Sequence, residues 1–128
     1  MDPEQPAGEG LALPDPEETT AGPWQLFAHN RVVLKAWRSL CQNTPANARS
    51  CYRWLKAHAT KPHPGRCYAL RGTKYVGVWA YEVGAGDRVY YKPNEHTLEA
   101  VVFYAGTVPA DHTGDFVLCR AADRTIFR

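Results

Sequence analysis

Residues 70–93, LRGTKYVGVWAYEVGAGDRVYYKP, contain two strand-like runs separated by a short segment rich in glycine. Val76–Val83 and Arg88–Lys92 are rich in β-branched and aromatic residues, and the GAGD between them is typical of a tight turn. The stretch therefore predicts an antiparallel hairpin. Basic residues gather around its aromatic residues, and one carboxylate, Glu82, lies in the middle of an otherwise apolar strand.

The runs on either side of this hairpin are also strand-like. Arg66–Arg71 precedes it, and Thr97–Tyr104 follows it after the turn sequence PNEH. Because each connection is short, we expect consecutive antiparallel pairing. A further strand is predicted near Phe116–Arg120. Within the hairpin, Tyr90 and Tyr91 point to opposite faces, so we expect one in the core and the other exposed.

Residues 31–58 have helical rather than strand periodicity. Asn30 is a suitable cap for a helix over RVVLKAWRSLCQ, and Thr44 followed by Pro45 predicts the start of a second helix. A short strand is predicted in PWQLFAH, residues 23–29. The order strand, helix, helix and then antiparallel strands predicts an α+β domain, with a helical hairpin packed on one face of a small, mostly antiparallel sheet. The other face is expected to be free to bind a partner.

Charge is distributed unevenly along the chain. Residues 1–22 contain six acidic side chains and no basic one, and they are rich in proline and glycine. We expect an acidic disordered tail over residues 1–22 and a folded domain over residues 23–128. The domain carries all 15 Lys and Arg against seven Asp and Glu, a net charge of +8. This charge suits a polyanion or an acidic protein segment, and we expect the tail to cover the basic surface transiently.

The sequence gives no indication of a membrane or metal-binding protein. No run approaches the roughly 18 to 20 apolar residues of a transmembrane helix. The N-terminal residues lack the basic start and apolar stretch of a secretory signal, so we expect a cytoplasmic protein. The four cysteines have no C-x-x-C spacing and no nearby histidine pair. They are interpreted as core or surface residues rather than metal ligands or disulfides.

Several short motifs between Trp24 and Pro109 carry a resemblance to a known family. They are KAWRSL, YALRG, the frame GVWAYEVGAGDRVYY and VVFYAGTVP. Together they resemble the RelE/ParE-like superfamily of toxins from bacterial toxin–antitoxin systems, and the frame is similar to the Gly-x-Trp…Arg-Val-x-Tyr hairpin of its ribosome-dependent mRNA-cleaving members. The resemblance implies a RelE-like fold, an antitoxin partner, and contact with the ribosome and mRNA. It also implies RNA cleavage without a metal or cofactor.

The resemblance also implies candidate site residues. Arg88 matches the arginine of the family's hairpin and is expected to bind the scissile phosphate. Arg71 and Lys74 match a basic cluster that positions phosphate. Tyr104 falls near the family's C-terminal aromatic positions, where it could stack on a base or support proton transfer.

Glu82 has two interpretations. As a catalytic group it would accept the proton of the attacking 2′-hydroxyl. As a structural group it would be a cross-strand partner of Arg88 or Lys92, which is the more common role of a carboxylate on a half-exposed strand.

The sequence departs from the family pattern at two places. The strand after the tryptophan usually carries a further arginine, but here it reads AYEV. The His–Tyr pair that some members place after the last strand would fall at about Ala105 and Gly106. Acid–base catalysis is then left to Glu82 or to nearby tyrosines, including Tyr81 and Tyr91, or it is absent.

Further cations could bind RNA. Arg49, Arg53 and Lys56 line the expected outer side of the second helix, and Lys92 ends the hairpin. Each phosphate that such a cation neutralises adds salt-dependent affinity. A solvated helix face is an equally good interpretation of the first three.

Two other functions agree with the same sequence. One is a ParE-like protein that inhibits DNA gyrase by binding alone, and the other is a catalytically inert RelE-fold protein-interaction module. The missing arginine and histidine raise the first of these alternatives, but a toxin acting as a ribosome-dependent mRNA endoribonuclease is the leading prediction.

Overall fold

The computed structural model describes residues 11–17, 20–70, 76–84 and 86–107. These residues form two helices and one six-stranded sheet. The elements in chain order are β1 (Leu11–Ala12), β2 (Gln25–Ala28), α1 (Arg31–Asn43), α2 (Pro45–His58), β3 (Cys67–Ala69), β4 (Trp79–Glu82), β5 (Asp87–Asn94) and β6 (Glu99–Thr107).

The sheet has the strand order β1-β2-β6-β5-β4-β3. Strands β3 to β6 pair consecutively and antiparallel, as their short connections predicted. Strand β2 lies parallel to β6, with Gln25 opposite Glu99. The chain therefore leaves the middle of the sheet through the two helices and enters it again at the far edge with β3. The predicted α+β class, with a helical hairpin on a mostly antiparallel sheet, is confirmed.

Helix α1 begins as its sequence predicted. The Asn30 side chain accepts a hydrogen bond from the Val33 amide at 2.9 Å, which satisfies one of the unpaired donors of the first turn. Thr44 behaves differently from the prediction. Its hydroxyl donates to the Leu40 carbonyl at 2.9 Å and makes no cap bond to α2. Thr44 therefore closes the end of α1, while Pro45 begins α2 with a residue that needs no amide partner.

The main core lies between the helices and one face of the sheet. The helices contribute Val33, Trp37 and Leu40 from α1, and Ala48, Cys51, Tyr52 and Leu55 from α2. The sheet contributes alternate residues of its strands, such as Val89 and Tyr91 of β5. Cys51 and Cys67 are buried and Cys41 is half-buried, all as free thiols, in agreement with the interpretation as packing residues.

A second, smaller apolar cluster covers the opposite side of the sheet, which we call the distal face. It contains Val78, Ala80, Tyr90 and Phe103. A bulge in β6 makes this possible: Tyr90 pairs with Tyr104, but Tyr91 pairs with Val102, so Phe103 is an extra residue. The distal face is therefore less solvated than the sequence suggested, because it has a core of its own.

The chain is structured before residue 22, where a disordered tail was expected. Leu11 and Ala12 pair with β2, and Leu13 is 3% exposed within the main core. The indole nitrogen of Trp37 donates to the Pro14 carbonyl at 2.9 Å, and the Tyr52 hydroxyl donates to the Leu13 carbonyl at 3.3 Å. Residues 11–17, which we call the N-terminal strap, are thus packed on the domain, and the expectation of disorder is corrected for them.

Some expectations concern other parts of the chain. The strand near Phe116–Arg120, Cys119 and the first ten residues of the predicted tail lie outside the described residues. Within the described ranges, neither helix is long and apolar enough to cross a membrane.

The strap makes a testable contribution to stability. We expect Leu13→Ala to lower the free energy of unfolding by about 2–4 kcal/mol, because it removes a buried side chain and leaves a cavity. Leu11→Ala, at a half-buried position of the same strap, is the matched control and should cost less than about 1 kcal/mol. Chemical denaturation measures both. Equal, small losses would show that the strap is not part of the core.

Candidate nucleic-acid interface on the distal face

Residues from neighbouring strands form two rows across the distal face. In the charged row, Glu82 pairs with Arg88, and Arg88 pairs with Gly106; Arg66 lies at the end of this row, where its carbonyl accepts from the Glu82 amide. The aromatic row beside it contains Tyr68, Ala80, Tyr90 and Tyr104, each paired with the next. A row of charges next to a row of rings is an arrangement suited to phosphates and bases.

Arg88 is held firmly in the charged row. Its Nη2 lies 3.7 Å from Oε1 of Glu82, and its Nη1 donates to the carbonyls of Gly84 and Asp87 at 3.1 Å each. The Arg88 and Glu82 side chains are 25% and 30% exposed. The cross-strand pairing of Glu82 with Arg88 confirms the structural interpretation of this carboxylate. The carboxylate also has lone pairs for further partners.

Tyr68 completes a three-residue group that the sequence analysis missed. Its hydroxyl donates to Oε2 of Glu82 at 2.7 Å, so one carboxylate holds both a phenol and a guanidinium. Burial, together with the neighbouring Glu82 carboxylate, raises the pKa of Tyr68 to about 12. The period of two along β3 could have identified this tyrosine, because Cys67 faces the main core and its neighbour must face the other way.

Arg66 is a second residue that the sequence analysis did not select. Its Nη1 donates to the carbonyl oxygen of Glu82 at 3.3 Å, from an exposed position before β3. A second guanidinium therefore lies beside Glu82, the last residue of β4.

Tyr104 and Tyr90 stack at a tilt in the aromatic row. Their ring centroids are 5.6 Å apart at an interplanar angle of 34°. The Tyr104 hydroxyl donates to the Thr107 carbonyl at 2.6 Å, and burial, followed by the nearby Asp87 carboxylate, raises its pKa. The expectation that one of Tyr90 and Tyr91 is exposed is wrong: they do face opposite ways, but they are 9% and 0% exposed in two different clusters.

Gly106 ends the charged row on β6, and it has no side chain. Its φ of 138° lies in the region that L side chains rarely adopt. A Cβ there would be 4.0 Å from the Tyr104 hydroxyl oxygen, which is an ordinary contact. The backbone conformation, and not a lack of space, therefore favours glycine. This position is one of the two where the family's His–Tyr pair would fall, and the backbone explains why a larger residue is absent.

The other predicted RNA-binding residues do not form one surface. Lys92 is half-buried on the distal side, with its stem over Gly77, and burial lowers its pKa. Arg49, Arg53 and Lys56 lie on α2, beyond the sheet and the main core.

The three cations of α2 are bound to residues near the N-terminus. Arg53 donates to Glu17 through Nε at 3.0 Å and also through Nη2, and Arg49 Nε lies 3.9 Å from the same carboxylate. Lys56 Nζ donates to the Trp24 carbonyl at 2.7 Å. Arg71 and Lys74, the two predicted phosphate-positioning residues after β3, lie outside the described residues.

Histidine and cysteine side chains do not assemble a metal site in the described part of the chain, where no group of three or more potential ligands is close enough. His58 and His63 instead flank Trp54, each with its ring centroid 4.7 Å from the indole. This packing accounts for the two histidines as structural residues, His58 at the end of α2 and His63 in the loop that follows it.

Comparison with known proteins identifies the fold. No protein-family model matches the sequence, and no curated protein sequence is detectably similar to it. A solved YoeB–YefM complex from Staphylococcus aureus matches with a TM-score of 0.53 and 8% identity over 69% of this chain and 100% of the matched chain. A heterotetrameric YoeB–YefM toxin–antitoxin complex from the same organism matches with the same TM-score and coverage at 10% identity.

The chain has a RelE-like fold. This confirms the fold expected from the hairpin frame. The RelE-like fold is shared here at 8–10% identity, a level at which fold alone does not determine function. The function of this chain must therefore be inferred from its own side chains.

The Tyr68–Glu82 hydrogen bond predicts an alkaline titration. In wild-type protein the phenol of Tyr68 should lose its proton near pH 12, whereas a solvated tyrosine does so near pH 10. Because the folded-state pKa is raised, the stability that this phenol contributes is complete below about pH 10 and is lost as pH rises through about 12.

We expect Tyr68→Phe to remove one tyrosine that titrates near pH 12, as followed by absorbance at 295 nm. Tyr104→Phe is the matched control and should leave that component unchanged. Loss of a component near pH 10 from Tyr68→Phe would contradict the hydrogen bond.

Proposed function

We propose that this RelE-like protein is the toxin of a type II toxin–antitoxin system and acts as a ribosome-dependent mRNA endoribonuclease that inhibits translation. The observation that carries the proposal is the charged row beside the aromatic row on the distal face. Phosphate oxygens suit the guanidinium of Arg88, and bases suit the half-buried rings of Tyr68 and Tyr104 in the neighbouring row. The shared fold with the chains of the YoeB–YefM structures supports a toxin.

The proposed reaction uses a group of the RNA as nucleophile. The 2′-oxygen attacks the adjacent phosphorus, the bond to the 5′-oxygen breaks, and a 2′,3′-cyclic phosphate and a 5′-hydroxyl result. The crowded phosphorane carries extra negative charge, which a fixed guanidinium stabilises more than it stabilises the substrate. Arg88, held by two carbonyls and a carboxylate, is preorganised for that role.

Two protons must move in this reaction. Glu82 is the proposed acceptor of the 2′-hydroxyl proton, because it is the carboxylate beside Arg88. Tyr104 is the proposed donor to the leaving oxygen or the platform for a base, since its phenol is protonated at neutral pH and burial raises its pKa further. Tyr81 and Tyr91 are unsuited to either role because both lie in the main core, 4% and 0% exposed.

Partners follow from the same proposal. The neighbouring complexes pair YoeB with YefM, an antitoxin, and we propose that this chain likewise binds an antitoxin that covers the basic distal face. The ribosome and mRNA are the proposed targets, in the cytoplasm. Arg71 and Lys74 remain proposed phosphate contacts on the grounds of the sequence resemblance.

Arg88→Ala tests the central residue. We expect induced expression of the wild-type chain to arrest growth and to produce mRNA 5′ ends in phase with codons. Arg88→Ala should reduce cleavage by about 100-fold or more, because it removes the main stabiliser of the transition-state charge. Sequencing of mRNA ends after induction measures the effect.

The control for this experiment is Arg38→Ala, which removes the same charge from an exposed position of α1 on the other side of the sheet. It should cleave as the wild type does. Full cleavage by Arg88→Ala would refute the assignment of this arginine, and growth arrest without any cleavage would refute the nuclease.

Glu82→Gln separates the two interpretations of Glu82. The amide can still accept from Tyr68 but cannot take a proton, so a general base at this position predicts a loss of about 100-fold or more in cleavage. We expect this loss to be accompanied by a changed pH–rate profile. Retained cleavage with an unchanged profile would show that Glu82 has only a structural role, as the cross-strand partner of Arg88.

A binding function is the second candidate, and one observation favours it. Arg88 already has Glu82 and two carbonyls as partners, which is also how a purely structural arginine is held. In that case the chain would inhibit its target by binding alone, as a ParE-like gyrase inhibitor or an inert interaction module. Growth arrest that Arg88→Ala does not relieve, with intact mRNA, is the result that this candidate predicts.

A further inference from the structure

The N-terminal strap ends on the outer face of α2, at a place chosen independently from sequence as an RNA contact. Glu17 receives hydrogen bonds from both Nε and Nη2 of Arg53, and Arg49 lies on the same carboxylate. The arginine side chains are 60% and 41% exposed. These two guanidinium groups therefore form an accessible anion site that an acidic residue of the same chain occupies.

The geometry of this contact suits a phosphate as well as a carboxylate. The guanidinium fork presents parallel N–H groups that match two oxygens of either anion. The hydrogen bond and charge of Arg53 hold the pKa of Glu17 below its usual value, so the carboxylate is ionised at neutral pH. Glu17 therefore stands where a phosphate group of a nucleic acid would stand.

The two ends of the strap are attached to the domain by contacts of different strength. Its first part is anchored by the buried Leu13 side chain, by pairing with β2, and by the donors of Trp37 and Tyr52. Its acidic end rests on a solvent-exposed ion pair, a type of contact that contributes little to stability and weakens with salt.

Asp15 separates these two parts. Its carboxylate accepts from the amides of Glu17 and Thr20 at 2.8 and 2.6 Å, which makes a compact turn. The contact of Glu17 with Arg53 and the burial of Leu13 are therefore separate contacts of the strap.

We propose that the strap is an intramolecular cover for a second nucleic-acid contact surface, in which Glu17 occupies a phosphate site formed by Arg49 and Arg53. The surface opens when the acidic end is displaced by a polyanion. It lies on α2, separate from the distal face, so Glu17 acts on α2 rather than on the proposed cleavage site. The inference rests on the proposed nucleic-acid-handling function, but it requires only binding and not cleavage.

Glu17→Gln in the full-length chain tests the cover. The probe is a fluorescent single-stranded oligodeoxynucleotide, which lacks the 2′-hydroxyl and so cannot react by the proposed chemistry. Its affinity is measured by anisotropy at about 50 mM salt, where phosphate contacts are strong. We expect Glu17→Gln to tighten binding roughly two- to fivefold, the range that corresponds to a surface ion pair.

Glu95→Gln is the matched control, because it removes the same charge from an exposed turn between β5 and β6. It should change the affinity less than twofold. In the background of Arg49→Ala and Arg53→Ala, the gain from Glu17→Gln should disappear. Near-ultraviolet circular dichroism of Glu17→Gln should match the wild type, which verifies that the anchored part of the strap keeps its contacts with Trp37 and Tyr52.

Three results would overturn the inference. They are an equal gain from Glu95→Gln, a gain that persists without the two arginines, and the absence of oligonucleotide binding by every variant. Tighter binding of an acidic peptide but not of the oligonucleotide would assign the site to a protein partner instead. Because the probe is not cleaved, a chain without nuclease activity can still pass this test. Failure of the proposed nuclease function is therefore distinguishable from failure of this inference.

Discussion

Successive side chains of β5 point to opposite faces of the sheet, and the arrangement of both faces depends on this alternation. Val89 and Tyr91 enter the main core, whereas Arg88 and Tyr90 face the distal side. The Tyr91 hydroxyl donates to the Ala59 carbonyl beyond α2 at 2.7 Å, which fixes the strand against the helices as well as within the sheet. A slip of one residue would bury Arg88 among apolar side chains, so the register of the core also sets the register of the site.

Features that depend on near neighbours in the chain could be predicted from the sequence. The Asn30 cap, the inward stripe of α2 and the antiparallel order of β3 to β6 each follow from residues a few positions apart. The pairing of Glu82 with Arg88 was predictable for the same reason, since a tight turn places these two residues opposite each other. Local chemistry thus accounts for the fold class and for the centre of the site.

Features that depend on distant parts of the chain could not be predicted. Leu11–Ala12 is too short to show a strand period, and Leu13 is a single apolar residue among prolines and acids; its pocket exists only after α1, α2 and β2 have assembled. The bulge at Phe103 likewise depends on distant residues, because β6 contributes side chains both to the main core and to the apolar cluster of the distal face. Tyr68 was missed because its significance depends on Glu82, on another strand.

Residues 23–128 carry a net charge of +8, and the cations of α2 and the distal face, among their described residues, do not form one surface. The sheet and the main core separate the guanidinium of Arg88 from those of Arg49 and Arg53, and exposed charges beyond about 10 Å are largely screened at physiological salt. Each set also has its own carboxylate, Glu82 in one and Glu17 in the other. Both carboxylates hold arginines in defined geometry, so a competing anion would have to displace them. If the proposed contacts are correct, a polyanion gains on either surface only by matching that geometry, which favours ordered phosphates over non-specific attraction.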